Sequence, residues 1–210
     1  RLEREFTLRY AAPVEHELRL LATSPQLNNY LMSSREETLI HRAEVERLFL
    51  SLSQGRDLYL ATTFLDAAGQ ETIGTCGQRR QRTFRSLAQR TDADPVSRRL
   101  NEVFTALKSG PARGLACSAP FWDAQDRLTV LVGMAKQEPE AGGFGGVVIQ
   151  HCHLTGFVRT VSQRRILGAP VAWVYGPDGT LLSRPPADGP RQDPGAVRAE
   201  GRAAGGGCVY

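Results

Sequence analysis

The segment LYLATTFLDAAGQETIGT (residues 58–75) gives the clearest indication of secondary structure in the sequence. It is rich in β-branched and aromatic residues, has no helical stripe, and is interrupted by Ala67, Ala68 and Gly69. This pattern predicts two antiparallel strands joined by a tight turn. Asp66 favours the turn because its carboxylate can accept hydrogen bonds from backbone N–H groups within the loop. Gly69 favours it because glycine adopts a positive φ without steric cost.

Two further stretches follow the same plan. FWDAQDRLT (residues 121–129) and VYGPDGTLL (residues 174–182) also lead apolar residues into an Asp-bearing tip, after which the chain can return as a strand. An aspartate in such a tip serves the turn itself. The sequence therefore predicts three hairpins whose aspartates are structural rather than catalytic.

The residues before the first hairpin predict helices. An apolar stripe recurs at the i, i+3, i+4, i+7 spacing of a helix face, formed by Val45, Leu48, Phe49 and Leu52. Ser24 and Pro25 suit the N-cap and the first turn of a helix. We therefore expect a long helix, a break near residues 23–24, and one or two shorter helices that end at Gly55. If the stripe is core, Leu48→Ala should cost ~2–5 kcal/mol.

A further helix is predicted after the arginine-rich residues 78–94. Asp94 suits its N-cap, Pro95 its first turn and Gly110 its end. Three strand-like runs follow, GLACSAPFW, LTVLVGMAK and FGGVVIQHC (residues 114–122, 128–136 and 144–152). This order predicts an α+β fold, in which a mainly antiparallel sheet is covered by the apolar face of the N-terminal helices.

The composition limits the class of function. The 210 residues include 26 basic and 22 acidic side chains, and 41% of residues are hydrophobic, which is typical of a packed domain. The basic surplus forms no dense stripe with interleaved aromatic residues, so no nucleic-acid partner is predicted. No apolar run approaches the ~20 residues that cross a bilayer. The chain has no signal-peptide pattern and begins at Arg1, so we expect a piece whose flanking membrane segments lie outside it.

The sequence contains none of the common catalytic motifs. G-x-G-x-x-G, Walker, H-E-x-x-H and G-x-S-x-G patterns are missing, so neither an enzyme nor a cofactor is predicted. GGFGG (residues 142–146) leads into a strand rather than a helix, which favours a turn over a phosphate loop. His151 and His153 share one strand face, but zinc needs at least one further ligand, so no metal site is predicted. A Cys117–Cys152 disulfide is left open, against two separate thiols.

Five segments in order carry a family resemblance: LLATSPQLNNYL, EVERLFLSL, LYLATTFLDAAGQE, FGGVVIQHCHLTGF and VAWVYGPDGTLLSRP. Together they resemble the extracytoplasmic double Cache (PDC-type, PAS-like) sensor domains of bacterial membrane receptors. Those receptors include sensor histidine kinases, diguanylate cyclases and chemoreceptors. The resemblance implies a periplasmic location, a small-molecule ligand, signalling as a homodimer, and no catalytic activity in the domain itself.

The resemblance also implies a division of the chain. Residues 1–53 would be an N-terminal helical segment and residues 54–153 a membrane-distal, PAS-like sensor module. Residues 154–165 would form a linking helix, and residues 166–210 a second, short or incomplete, membrane-proximal module.

In this family small ligands bind between the distal sheet and the loop and helix that cover it, which implies a site beneath residues 78–113. The candidate residues are Tyr59, Thr63, Arg82, Phe84, Arg113, Trp122 and Lys136. Tyr59, Ala61 and Thr63 should share one strand face, and the loop arginines could hold a carboxylate through paired N–H donors. The expected ligand is therefore an anionic or zwitterionic metabolite. The alternative is a non-catalytic interaction or dimerisation module that binds no small molecule.

Overall fold

The computed structural model describes residues 12–54, 56, 58–91, 93–110 and 114–154, and the backbone of residues 165–166 and 169–170. The helices are α1 (Ala12–Ala22), α2 (Pro25–Met32), α3 (Thr38–Ser53) and α4 (Pro95–Ser109), with a short 3₁₀ turn at Leu87–Gln89. The strands are β1 (Tyr59–Asp66), β2 (Glu71–Cys76), β3 (Arg79–Arg80), β4 (Leu115–Cys117), β5 (Phe121–Trp122), β6 (Leu128–Gln137), β7 (Phe144–His153), β8 (Arg165–Ile166) and β9 (Ala169–Pro170).

The first seven strands form one antiparallel sheet. Its order is β3-β2-β1-β7-β6-β4, and β5 also pairs with β6. The long central strands β1, β7 and β6 lie side by side, although about 80 residues of sequence separate β1 from β7. The predicted α+β fold with a mainly antiparallel sheet is confirmed. β8 and β9 form a separate two-stranded sheet.

Local capping chemistry fixes where the helices begin. The Ser24 hydroxyl accepts a hydrogen bond from the Leu27 N–H at 3.3 Å, and Pro25 occupies the first turn of α2. At α4, the Asp94 carboxylate accepts bonds from the N–H groups of Val96 and Ser97 at 3.2 and 3.1 Å. Both predicted helix starts are confirmed.

The first two predicted hairpins are confirmed. In the β1–β2 turn, Asp66 Oδ1 accepts bonds from the N–H groups of Ala68 and Gln70, both at 2.9 Å. Asp123, between β5 and β6, likewise accepts bonds from the backbone of Gln125 and Arg127. The third predicted hairpin, residues 174–182, lies outside the described residues.

The sheet has two covered faces. The first, called the α1–α3 face, buries side chains of α1, α2 and α3 against β1, β2, β6 and β7. Val45 and Phe49 are fully buried there, whereas Leu48 and Leu52 are only partly buried against the same core. The second, called the α4 face, lies under α4. The expectation that the N-terminal helices cover the sheet is confirmed.

The sequence predicts that Tyr59 shares one face of β1 with Ala61 and Thr63, and for Tyr59 this prediction is wrong. The pairing of β1 with β7 shifts register between Tyr59 and Ala61, which is the signature of a β-bulge. Tyr59 therefore packs in the core of the α1–α3 face. Ala61 and Thr63 stand opposite His151 and Ile149, and Ile149 belongs to the core of the α4 face.

Several remaining predictions concern the C-terminal part of the chain. Residues 155–164 of the expected linking helix lie outside the described residues, as does most of the expected second module. The division into modules stays a prediction.

Cys117 and Cys152 are free thiols, and burial raises the pKa of Cys152 to about 12.

Candidate ligand site

The centre of the α4 face is apolar. Four α4 side chains, those of Leu100, Val103, Phe104 and Leu107, form one core cluster with Leu131, Val147 and Ile149 of the sheet. Gly133 permits the close approach of the helix, since a Cβ at this position would lie 2.6 Å from Val103 Cγ1 and 3.0 Å from Leu107 Cδ1. Helix α4 is therefore seated firmly on β6, and the polar groups of this face lie around that contact.

One polar cluster is centred on Glu71, at the start of β2. Its carboxylate is 3% exposed and accepts hydrogen bonds from Arg90 Nη2 at 2.6 Å, the Arg85 N–H at 3.1 Å and Gln81 Nε2 at 3.3 Å. Arg90 also lies 3.4 Å from the hydroxyl of Ser97 on α4. Glu71 thus holds the 81–90 loop against both the sheet and the helix.

Arg90 has donor capacity that this cluster does not use. Its Nε atom is buried and has no hydrogen-bond partner among the described residues. Buried N–H groups normally find a partner, because leaving one unpaired costs about 1–3 kcal/mol. Arg90 is therefore a fixed cation with a spare donor beneath the loop.

A second polar group on this face is His151 of β7. Its ring stacks on Phe121, with 6.0 Å between ring centres and 21° between planes. Its Nε2 atom is buried, and no described residue hydrogen-bonds to it. Burial lowers the pKa of His151 to about 4, against smaller opposing effects of Asp123 and Asp94. The imidazole is therefore neutral at pH 7 and offers one unpaired ring nitrogen.

The lowered pKa of His151 predicts a pH dependence of stability. The native ring stays neutral down to pH ~4, whereas the unfolded ring takes up a proton near pH 6.5. The contribution of the neutral His151 ring to the free energy of unfolding is therefore present above pH 6.5. This contribution falls by about 3 kcal/mol as the pH drops from 6.5 to 4. Urea unfolding across this range measures the loss, and His151→Phe should flatten it. An equally steep loss in the variant would assign the dependence to other groups.

Asp123 and Arg127 border His151. Arg127 Nε and Nη2 lie 2.8 and 2.7 Å from Asp123 Oδ2, which makes a two-pronged ion pair. Burial alone would raise the pKa of Asp123, but the hydrogen bonds from Arg127 and Gln125 outweigh it and lower the pKa. This carboxylate stays ionised and committed to the turn, which agrees with its predicted structural role.

The register of the sheet places Thr63 between the two polar groups. Glu71, which holds Arg90, stands opposite Leu65 of β1, and His151 stands opposite Ala61. These two positions are four residues apart, or about 13 Å along the strand, with Thr63 midway. Along β1, Thr63 therefore lies between the position that faces Glu71 and the position that faces His151.

Solved structures with the same fold were compared with the chain. The extracellular domain of a predicted histidine kinase, vpHK1S-Z8, covers 76% of the chain with a TM-score of 0.59 and 14% identity. The sensory domain of the Campylobacter jejuni chemoreceptor Tlp3, with isoleucine bound, covers 78% with a TM-score of 0.54 and 10% identity. The ligand-binding domain of the Pseudomonas aeruginosa chemoreceptor PctC, in complex with GABA, covers 87% with a TM-score of 0.55 and 14% identity. The chain has the fold of a Cache-type sensor domain.

The likeness to Cache-type domains is one of fold. No protein-family model and no curated protein sequence matches the chain. The chain spans 56%, 60% and 70% of the length of the three solved domains, respectively. Among the helices that the structure describes, none has the length and apolar character needed to span a bilayer.

Within this Cache-type fold, Thr63 is the predicted site residue that lies on the α4 face. It is 8% exposed and stands opposite Gly74 of β2. The Gln81 side chain covers Gly74 so closely that a Cβ at this position would overlap it. Gln81 therefore borders the position where a ligand would contact Thr63.

Two other predicted site residues lie on the opposite face. Tyr59 packs in the core of the α1–α3 face, where burial raises its pKa and the Arg56 guanidinium lies 5.9 Å from its ring centre. Lys136 donates a hydrogen bond to Asn28 Oδ1 of α2, and burial lowers its pKa. Because the sheet separates them from Thr63, one small ligand cannot contact all three residues.

The remaining predicted residues are spread around the sheet. Arg82 and Phe84 lie near α3, where the Arg42 guanidinium rests 4.3 Å from the Phe84 ring centre. Trp122 is half-buried and pairs with Leu128 at the β5–β6 hairpin. Arg113 lies outside the described residues. Arg82 and Phe84 therefore both lie near Arg42 of α3, and neither has a contact with Thr63 among those that the structure describes.

Sequence reasoning missed Arg90, Glu71 and Gln81 as site residues. Five arginines occupy residues 79–90, and nothing in their spacing shows which one turns inward. One local signal was available: Ser86 and Gln89 form a capping box around the 3₁₀ turn, which ends directly before Arg90. The sequence pattern raises His151 as a metal ligand only with His153 and a further ligand, and the described part of the chain holds no group of three His, Cys, Asp or Glu side chains suited to a metal.

Proposed function

We propose that the chain is the extracytoplasmic ligand-sensing domain of a membrane receptor and that it binds a small anionic or zwitterionic molecule on the α4 face. The observation that carries the proposal is the pair of unpartnered buried nitrogens, Arg90 Nε and His151 Nε2, on one covered face. The fold supports a sensing role, since similar solved domains bind isoleucine and GABA. The domain itself has no catalytic role in this proposal.

The two nitrogens suggest how such a ligand is oriented. A carboxylate would accept a charge-assisted bond from Arg90, which is already held in place by Glu71. His151 is neutral and can donate or accept at Nε2, so it suits an amino or hydroxyl group at the other end of the molecule. Thr63 lies between them and supplies a hydroxyl.

The strands provide a route from this site to the helices. β7 presents His151 to the α4 face and the next residue, Cys152, to the core of the α1–α3 face. Helix α1 packs directly on β6 and β7. We propose that ligand binding shifts these strands and that α1 passes the change to an output domain. The ligand can do this only if it binds one arrangement of strand and helix more tightly than the other.

A thermal-shift screen of amino acids and organic acids tests the proposal. A ligand at 100 times its Kd should stabilise the chain by about 2.7 kcal/mol, which raises Tm by several degrees. His151→Phe retains the ring on Phe121 but removes both nitrogens, and should weaken the affinity, measured by calorimetry, at least tenfold. Lys136→Met, on the opposite face, is the control and should leave the affinity unchanged. If Lys136→Met weakened the affinity and His151→Phe left it unchanged, the ligand would lie on the α1–α3 face and the proposed site would be wrong.

A dimerisation or interaction module is the second candidate function. It is favoured by large apolar side chains that α1, α2 and α3 leave exposed, namely Leu20 at 51%, Met32 at 55%, Leu39 at 73% and Ile40 at 64%. Such residues suit contact with a second copy of the chain. This function predicts that the screen yields no ligand and that sedimentation shows concentration-dependent self-association.

A further inference from the structure

A second charged region lies at the edge of the sheet, away from the α4 face. It is a cleft of about 830 Å³ between α3 and the strand β3 with the residues that follow it. The lining residues are Arg42, Glu46, Arg79, Arg80, Gln81 and Arg82. Four arginines against one glutamate leave three positive charges that are not balanced within the cleft.

Glu46 organises two of these arginines. Its carboxylate is 6% exposed and lies 3.0 Å from Arg42 Nε on the same helix and 3.4 Å from Arg80 Nε of β3. The Arg42 guanidinium also rests on the Phe84 ring, a cation–π contact that fixes its plane. Both contacts with Glu46 involve Nε, so the terminal amino groups of Arg42 and Arg80 are left for another partner.

Arg79 and Arg82 supply two of the three uncompensated charges, and the third arises because Arg42 and Arg80 share Glu46. Both side chains are exposed, and among the described residues neither has a carboxylate within ion-pair distance. Arg19 and Arg127 differ, since each lies beside a carboxylate, that of Glu15 and that of Asp123. Four arginines therefore lie together in this cleft, and two of them have no carboxylate partner among the described residues.

We infer that this cleft is a second binding site, for a small polyvalent anion that carries carboxylate or phosphate groups. Guanidinium groups bind both chemistries through paired N–H donors. Three uncompensated charges favour a ligand with two or more negative charges over a monocarboxylate. Gln81 lies between the cleft and the proposed sensing site, but the cleft contains none of Arg90, Thr63 and His151, so either site can fail experimentally without the other.

Calorimetric titration of the whole chain with citrate and with pyrophosphate tests this inference. The ionic strength is held at ~0.15 M with sodium chloride, because exposed charges are screened over about 8 Å under these conditions. At least one anion should bind with 1:1 stoichiometry, and acetate should bind at least tenfold more weakly. Preference between citrate and pyrophosphate then separates carboxylate from phosphate chemistry.

Matched charge variants identify the location. Arg79→Gln/Arg82→Gln removes two exposed, unpaired arginines and should weaken anion binding at least tenfold. Arg19→Gln/Arg98→Gln removes the same net charge from α1 and α4 and should change it less than twofold. Equal losses in the two double variants would show a diffuse charge effect and overturn the site, as would the lack of binding by both anions. Binding only to vesicles that contain anionic phospholipid would also contradict a small-anion site.

Discussion

Phe49→Ala should lower the free energy of unfolding by about 3–5 kcal/mol, the usual cost of truncating a fully buried aromatic ring. Phe49 is 0% exposed and belongs to the core that joins α1, α2 and α3 to the sheet, together with Leu18 and Phe64. Removing its ring leaves a cavity at the contact through which α3 is seated on the sheet. Urea denaturation followed by circular dichroism measures the loss.

Two other α3 residues, which are less buried than Phe49, give stability changes with which the loss for Phe49→Ala can be compared. Leu48 is only partly buried, so Leu48→Ala should cost about 2 kcal/mol, at the low end of the range expected from the sequence. Leu39 is 73% exposed, and Leu39→Ala should stay within about 0.5 kcal/mol of the original chain. A loss for Phe49→Ala no larger than that for Leu39→Ala would show that α3 does not pack on the sheet as described.

Arg90→Met should cost about 3–5 kcal/mol, because it leaves the Glu71 carboxylate buried without its cation. Glu71 is 3% exposed, and the Arg90 side chain is 14% exposed. The same change should release the 81–90 loop, since Glu71 connects Arg90, Gln81 and the Arg85 N–H. Urea denaturation measures the energy, and limited proteolysis reports the release of the loop.

A double-mutant cycle separates the pairing from packing. Glu71→Leu/Arg90→Met removes both charges and should recover much of the stability that Arg90→Met alone loses. Arg19→Met breaks an exposed pair, with side chains 65% and 45% exposed, and should cost less than about 1 kcal/mol. If Arg90→Met were as mild as Arg19→Met, the buried ion pair would not hold the loop in solution.

The features that could be predicted from the sequence are those with local causes. Ser24 and Asp94 start helices through bonds to residues two or three positions away, and Pro25 occupies the first turn of α2. Asp66 and Asp123 close their turns through bonds that span at most four residues. Such contacts lie within a few letters of the sequence, so the α+β order of elements followed from them.

The features that could not be predicted depend on distant parts of the chain. The bulge between Tyr59 and Ala61 reverses the face of one residue, and it arises where β1 meets β7. The sequence run YLATTF contains no sign of it, which is why Tyr59 was expected beside Thr63. Arg90 rather than Arg82 reaches the α4 face because Glu71, 19 residues earlier, captures it.

Hydrogen exchange, measured with and without the tightest ligand from the screen, shows which face of the sheet the ligand covers. Bound ligand should slow exchange in residues 85–91, the first turns of α4 and the β7 segment around His151. The basic cleft between α3 and β3 should exchange at an unchanged rate with this ligand. Protection confined to α1 and α2, or to the cleft, would contradict a ligand site on the α4 face.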